Sequence, residues 1–248
     1  MPFDPKTLDS SMKALAAYDW SGDAAPLGAI DAAVVAAHDD AQLAADLEGR
    51  LAAMVASDAS RAAKEYACRK LAMIGTTVSV PALAARLGDA DDSHMARFAL
   101  ERMQIPEAAE ALRQAVDSLT GDLRIGMLSS LAARRDTASV ARCAALLAAD
   151  AKTAVAAAGA LGRIATPEAA KALATAHVAS GPVAEAIVDA RIACADAFLA
   201  RGARDEARTI FEAIAAEAGE APATRRARAV RIAARSGILA ALDDTASR

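Results

Sequence analysis

Residues 122–147 read DLRIGMLSSLAARRDTASVARCAALL, and residues 151–173 read AKTAVAAAGALGRIATPEAAKAL. Each stretch contains an apolar segment of helical character, a short polar turn marked by Thr137 or Thr166, and a second segment of small and aliphatic residues. A single pair of such helices cannot bury its apolar face, whereas copies stacked side by side bury one continuous core. The stretch therefore predicts a protein built of repeated helical hairpins.

The same unit recurs upstream, with spacings of 28, 32 and 29 residues between successive turn positions. These turn positions are Thr77, Ile105, Thr137 and Thr166. Three residues after them stand Val80, Ala108, Val140 and Ala169. Such regularity is typical of a hairpin repeat of roughly 30 residues.

The composition favours an all-α fold. Apolar residues make up 55% of the 248 residues, aromatic residues only 3%, and alanine is the commonest residue. Alanine is the best helix former because it loses no side-chain entropy in a helix. Since small side chains let helices approach closely, we expect a thin core spread along stacked helices. Gly126, Gly159 and Gly162, within first helices, are expected to mark such close approaches.

We predict one continuous domain in three segments. Residues 1–59 form an N-terminal arm, loose to about Ser10, and capping helices with Trp20 as an apolar plug. Residues 60–181 form the repeats, with Gly121 ending a second helix. Residues 182–248 form a C-terminal hairpin and a capping helix. The terminal segments differ from the repeats because end repeats of a stack must cover an open face.

Several of these stretches resemble a known family. VSVPALAARL, RRDTASVARCAALL and ALGRIATPEAAKAL look like HEAT repeats of the short bacterial type that also occurs in phycobilin lyases. ACADAFLARGARDEARTIFEAIAAE resembles a tetratricopeptide hairpin. The resemblance implies a right-handed, armadillo-like α-solenoid with atypical capping helices at both ends, whose second helices line a concave face. HEAT proteins are mostly binding scaffolds, although fold alone does not assign a task.

The sequence contains no catalytic constellation that we recognise, and we predict no cofactor and no metal. Deoxyhypusine hydroxylase, a HEAT-like enzyme, binds iron through His-Glu pairs, but the three histidines are followed by Asp39, Met95 and Val178. HEAT-like DNA glycosylases use a basic concave face with tryptophans, which a single tryptophan and a net charge of −4 disfavour. No missing ligand separates the chain from phycobilin lyases, and nothing in it marks a bilin site.

Charge and cysteine content bound the partners and the compartment. A net charge of −4 disfavours nucleic acid as a partner. Cys68, Cys143 and Cys194 form no CxxC pair, which favours reduced core residues. We expect a monomer that is not inserted in a membrane and is cytoplasmic as written, or periplasmic if a removed leader preceded it.

Charged turns have structural interpretations. The acidic run Gly88–Ser93 lacks EF-hand spacing, so Asp92 or Ser93 is expected to cap a helix. Arg134–Asp136 is expected to bond neighbouring repeats.

Two groups of residues are candidates for partner binding. Polar residues of the second helices would face the partner on the concave side: Arg86, Arg113, Arg142 and His177. A stripe at helical spacing near the C-terminus could hold a phosphate or a carboxylate: Arg225, Arg228, Arg231 and Arg235. The alternative interpretation of this stripe is a solvated outer face of the terminal helix.

The function that the sequence favours is a non-enzymatic repeat scaffold that binds a protein or peptide through its concave face. One alternative is a HEAT-type lyase or chaperone-like protein that acts on a cofactor or a protein partner. Another is binding of an anion or a nucleic acid through the C-terminal arginine stripe.

Overall fold

Helices make up all the regular structure in the residues that the computed structural model describes, which are 5–176, 180–220 and 225–243. The predicted all-α fold is confirmed. The chain divides into two compact units, Met1–Arg134 and Arg135–Arg248. The solenoid and the single three-segment domain stay predictions.

In the first unit the helices follow one another through short turns. They are α1 (Pro5–Ala16), α2 (Gly28–Ala36, after a 3-10 turn), α3 (Ala41–Ala56), α4 (Arg61–Ile74), α5 (Val80–Ala84), α6 (Ser93–Arg102), α7 (Pro106–Ser118) and α8 (Gly121–Ala133). One layer contains α2, α4, α6 and α8, each packed on the next, and a second layer contains α3, α5 and α7. Packing between alternate helices is what stacked hairpins require.

The second unit contains six helices in its described part. They are α9 (Val140–Leu146, after a 3-10 turn at Thr137–Ser139), α10 (Ala151–Ile164), α11 (Pro167–Thr175), α12 (Pro182–Ala200), α13 (Arg204–Glu220) and α14 (Arg225–Leu242). Its most extensive packing joins α10 to α12 and α13 to α14. A core around Phe198 and Phe211 fills the space between α12, α13 and α14.

The predicted turn positions lie shortly before the starts of second helices. Thr77 and Thr137 lie three residues before α5 and α9, while Ile105 and Thr166 directly precede α7 and α11. The residues three positions after each turn are all buried: Val80, Ala108, Val140 and Ala169. The repeat spacing therefore marks where each second helix enters its unit's core.

Side-chain caps start several of these helices. The Ser60 hydroxyl accepts from the Ala63 amide at 3.0 Å, and the Thr166 hydroxyl accepts from the Ala169 amide at 3.1 Å. Each cap satisfies an amide that has no partner in the first turn of a helix.

Three expectations for the first unit are wrong. The N-terminal arm is helical from Pro5, because Leu8 and Leu15 bury an apolar stripe. Trp20 is 59% exposed, with the Arg61 guanidinium over its ring, and plugs nothing. Gly121 begins α8 instead of ending α7, at a positive φ of 59° that suits glycine.

The acidic run also differs from its prediction. Asp92 precedes α6, but its side chain caps no amide. The buried carboxylate accepts from Lys64 Nζ at 3.0 Å instead. Asp89 accepts from the amides of Asp91 and Asp92 at the turn. A salt bridge to the preceding hairpin thus replaces the local cap.

The prediction of close helix approach at the glycines holds at Gly162, whereas the close neighbour of Gly126 is the end of a side chain. A Cβ on Gly162 would lie 2.8 Å from the Ala190 backbone, so α10 and α12 touch there, and one on Gly126 would lie 2.9 Å from the Arg97 guanidinium. Gly159 has open space around it, and the prediction is wrong there.

Three arginines, each just after the end of a helix and here termed the helix-end arginines, bind carbonyl groups of an earlier helix. Arg134 Nη1, after α8, donates to Leu100 O at 2.7 Å and Met103 O at 2.6 Å, at the end of α6. The other two are Arg86, which donates to Val55 O and Ala56 O at the end of α3, and Arg201, which donates to Ala165 O at the end of α10. A cation there satisfies orphan carbonyls and complements the helix dipole. The bonding expected of Arg134–Asp136 is confirmed for Arg134.

The buried carboxylate of Glu48 also binds backbone groups of another hairpin, but it accepts hydrogen bonds from amides instead of donating to carbonyls. Glu48 of α3 is only 3% exposed. It accepts from the Thr76 amide at 2.6 Å, the Thr76 hydroxyl at 2.9 Å and the Ser79 amide at 3.1 Å. These bonds fix the turn that leads into α5, so a residue of one hairpin determines the geometry of the next.

Candidate binding cleft

A strongly apolar cleft of the second unit lies between α12, α13 and α14. Its volume is about 530 Å³, which is within the range of ligand pockets. Its lining comes from the N-terminal half of α12, the end of α13 and the start of α14. The cleft is open along one side, as a groove for an extended or helical segment would be.

The floor of the cleft is formed by aliphatic side chains that the core supports. Ile214 and Ala218 of α13 are buried, and Val188 of α12 and Val230 of α14 are half-buried against the same core. They lie in the apolar stripes of their helices, as helical spacing predicts. Their exposed parts leave an apolar surface accessible to a partner.

One side of the cleft is held by an ion pair between α12 and α13. Arg191 Nη1 lies 2.6 Å from Glu217 Oε2, and Nη2 lies 2.9 Å from Oε1, a bidentate arrangement. The Arg191 side chain is 8% exposed, whereas Glu217 is 58% exposed. The pair thus joins a buried cation to a carboxylate that still faces solvent at the rim.

The other side is held by Arg226, which connects α14 to α12. Its Nη2 donates to Asp189 Oδ1 at 2.9 Å and to the Glu185 carbonyl at 3.0 Å, and its Nε lies 3.3 Å from Glu185 Oε2. Both carboxylates are more than half exposed. The rim therefore presents the exposed carboxylates of Glu185 and Glu217 above an apolar floor, and the exposed carboxylate of Asp189 lies next to the rim at Arg226.

These rim residues were not among the sequence candidates. Arg191 offered a signal, because it is a charged residue within the apolar segment Val183–Cys194 and at core spacing from Ile187 and Ala195. A charge at such a position requires a partner across the helix interface. Arg226 offered none, since it stands among other arginines.

The candidates in the second helices are held by intramolecular bonds to different degrees. Arg86 is one of the helix-end arginines and donates to carbonyls at the end of α3. Arg113 lies mostly buried with Nη2 2.8 Å from Glu110 Oε2. Arg142 is half-buried and makes contacts within the chain. His177 lies outside the described residues. Their role in partner binding stays a prediction.

The arginine stripe does not converge on the cleft. Arg228 and Arg235 are exposed, whereas Arg231 donates to Ala218 O at 2.8 Å and ties α14 to α13. Arg225 is in the first turn of α14. The cleft takes Arg226, Ala227 and Val230 from α14, so the stripe lies beside it.

Nucleophiles and metal ligands are poorly placed for chemistry in the described part of the chain. Burial raises the pKa of Cys68 to about 12 and the pKa of Cys143 and of Cys194 to about 11. All three thiols are buried and reduced. Among the residues that the structure describes, no group of three or more His, Cys, Asp or Glu side chains could hold a metal ion.

Two general findings complete the description. Within the described ranges, none of the helices has both the length and the apolar character needed to cross a membrane. No protein-family model matches the chain, and no curated protein is significantly similar to it in sequence.

Proposed function

We propose that the chain is a scaffold of HEAT-like helical hairpins that binds a segment of a partner protein. The observation that carries this proposal is the open apolar cleft between α12, α13 and α14, with a floor of aliphatic side chains. An amphipathic helix laid in an apolar groove is a recurring mode of peptide recognition. The paired arginines support the same idea, because they hold the walls rigid before a partner arrives.

The rim determines which segment fits best. Glu185, Asp189 and Glu217 are exposed although each pairs with an arginine. A segment with apolar residues on one face and lysine or arginine beside them would bury the floor and place its cations near these carboxylates. Complementary charge would contribute mainly to specificity and to the rate of association.

The test uses display of a peptide library against the full chain, followed by affinity measurements with the selected peptides. Val230→Asp introduces a charge in the cleft, and Ile232→Asp introduces the same charge two residues along α14, where Ile232 is 60% exposed. We expect Val230→Asp to weaken binding at least about tenfold and Ile232→Asp to leave it unchanged. Circular dichroism checks that both variants remain helical.

Two results would contradict the proposal. One is a set of selected peptides that bind both variants with equal affinity, which would place the binding surface elsewhere. The other is a library that yields no specific binder at all.

The exposed side chains of Arg228 and Arg235 keep the alternative of anion binding open to a separate test. Double replacement by Glu would abolish binding of a polyanion such as heparin if the stripe is a site, and that binding would fall steeply with salt. A peptide held in the cleft would lose far less affinity.

A further inference from the structure

A second cleft lies in the first unit, between the N-terminal halves of α4 and α6. Its volume is about 390 Å³. Its polar lining consists of Arg61, Arg69, His94 and one carboxylate, Glu65, and its other lining residues are Cys68, Met95 and Phe98. It belongs to the first unit, whereas the proposed peptide cleft belongs to the second.

Two rim side chains have unused hydrogen-bond donors. Among the described residues, Arg61 and His94 make no hydrogen bond and no ion pair, and both are exposed. The remaining rim cation, Arg69, pairs with Glu65 of its own helix. Arg61 is therefore the guanidinium at this rim that lacks a carboxylate.

The surroundings add to the preference for an anion. Lys64 and Arg86 share the buried Asp92, with Nζ at 3.0 Å and Nη1 at 3.9 Å from Oδ2. Arg61 and His94 stand in the first turns of α4 and α6; Ser60 caps α4, whereas no side chain caps the amides of α6. The positive end of the α6 dipole therefore lies beside His94.

The floor suits an organic group. Met95 is 6% exposed, and the Phe98 ring carries the Arg102 guanidinium at 3.8 Å from its centroid. The exposed indole of Trp20 lies next to Arg61, whose guanidinium carbon is 5.9 Å from the ring centroid. Phe98 is half-buried, so the exposed part of its ring is the apolar surface of the cleft that an inorganic anion alone would leave uncovered.

We propose that this cleft binds a small organic phosphate, with the phosphate oxygens at Arg61 and His94 and the organic group on Met95 and Phe98. The planar guanidinium of arginine matches two phosphate oxygens at once. We therefore expect replacement of Arg61 by an uncharged residue of similar size to weaken binding more than any other single conservative replacement in the cleft.

The experiment is isothermal titration of the full chain with ADP, with pyrophosphate and with adenosine. We expect saturable binding of ADP, several-fold weaker binding of pyrophosphate and no measurable binding of adenosine. Arg61→Gln should weaken ADP binding about tenfold or more, because it removes the guanidinium. Arg163→Gln, at an exposed arginine of α10, is the matched control and should bind ADP as the original chain does.

Trp20 supplies an independent readout, because it is the only tryptophan in the chain and is next to Arg61. Pyrophosphate, which does not absorb at the wavelengths used, should change its fluorescence in the original chain and not in Arg61→Gln. His94→Ala should weaken ADP binding about threefold, and it decides the matter if Arg61→Gln misfolds.

The proposal is overturned if neither ADP nor pyrophosphate binds saturably, or if Arg61→Gln and His94→Ala bind ADP as tightly as the original chain. Adenosine that binds as tightly as ADP would overturn the assignment of the rim to phosphate. Pyrophosphate that binds as tightly as ADP would overturn the role of the floor.

Discussion

At the residue scale, two charged side chains bind backbone groups at places where a helix starts or stops. Glu48 accepts from two amides in the turn before α5, and Arg134 donates to carbonyls at the end of α6. An unsatisfied buried polar group costs about 1–3 kcal/mol, so each of these side chains stabilises a place where a helix starts or stops. Their positions are set by backbone geometry that the sequence pattern does not reveal.

Replacing Glu48 tests this role in the first unit. Glu48→Ala removes the acceptor of the Thr76 amide and leaves the Ser79 amide only its longer bond to Thr76 O at 3.3 Å, so it should lower the free energy of unfolding by about 2–4 kcal/mol. Glu48→Gln keeps one acceptor oxygen and should cost less. Urea denaturation followed by circular dichroism measures both, with Glu107→Ala, at an exposed glutamate in the first turn of α7, as the control. Equal stability of Glu48→Ala and Glu107→Ala would refute the role.

The cysteines give a prediction about pH. Burial raises the pKa of Cys143 and Cys194 to about 11, above the ordinary value of about 8.5. The folded chain then holds these protons more tightly than the unfolded chain, so the contribution to stability is complete below about pH 8.5 and is lost as pH rises towards 11.

The direct measurement is the rate of thiol modification by a disulfide reagent at pH 8. We expect the native chain to react at least about a hundredfold more slowly than the urea-unfolded chain, because the thiolate fraction is small and the sulfurs are inaccessible. A native thiol that reacts at the unfolded rate would show that its surroundings are not those described.

At the element scale, α10 shows how one helix carries two glycines with opposite roles. A Cβ at Gly162 would lie 2.8 Å from backbone atoms of Ala190 on α12, whereas a Cβ at Gly159 meets nothing within 4 Å. Both are internal to the helix, where glycine costs roughly 1 kcal/mol relative to alanine. The sequence predicts close approach at both glycines. It does not distinguish them, because the surroundings of a glycine depend on which face of the helix it occupies.

The pair Gly162→Ala and Gly159→Ala is therefore a matched test. Gly162→Ala should destabilise by about 1–3 kcal/mol, since backbone atoms cannot move aside and the overpacking exceeds the gain in helix propensity. Gly159→Ala should stabilise by up to about 1 kcal/mol. Thermal unfolding of the two variants compares them, and destabilisation by both or by neither would contradict the described contact between α10 and α12.

Helix boundaries followed from the sequence where a repeat or a cap marked them. Thr166 stands at a predicted turn position, and both it and Ser60 cap the helices that follow them. The prediction failed where a tertiary interaction replaced the local one: Asp92 pairs with Lys64 instead of capping α6. It failed again at Trp20, where rarity suggested burial and the ring is exposed beside Arg61.

At the scale of the whole molecule, the chain consists of two compact units, each with its own helix packing. The all-helical architecture could be predicted from the alanine content and from the regular spacing of the helical hairpins, since both features extend along much of the sequence. The cleft could not be predicted in this way, because it depends on how α12, α13 and α14 diverge around Arg191 and Arg226. The sequence pattern identified the aliphatic residues of the cleft as core residues, but it did not predict the ion pairs that shape the cleft.

Removal of Arg134 tests how far a local change extends in the molecule. Arg134→Met deletes the donors to the end of α6, and hydrogen exchange measured by mass spectrometry should increase at α6 and at the turn to α7. Exchange in α12–α14 should stay unchanged, as expected where each repeat stabilises its neighbours. Arg163→Met is the control. Faster exchange throughout both units would show global coupling instead.

The helix-end arginines also have a consequence for biosynthesis. Arg134 stands 31 residues after Met103, and Arg201 stands 36 residues after Ala165. On the ribosome, the carbonyls that end α6 cannot bind the Arg134 side chain until α8 has emerged. At each of these arginines, a helix end thus gains its partner from a helix that is synthesised later, so we expect these contacts to form in the direction of translation.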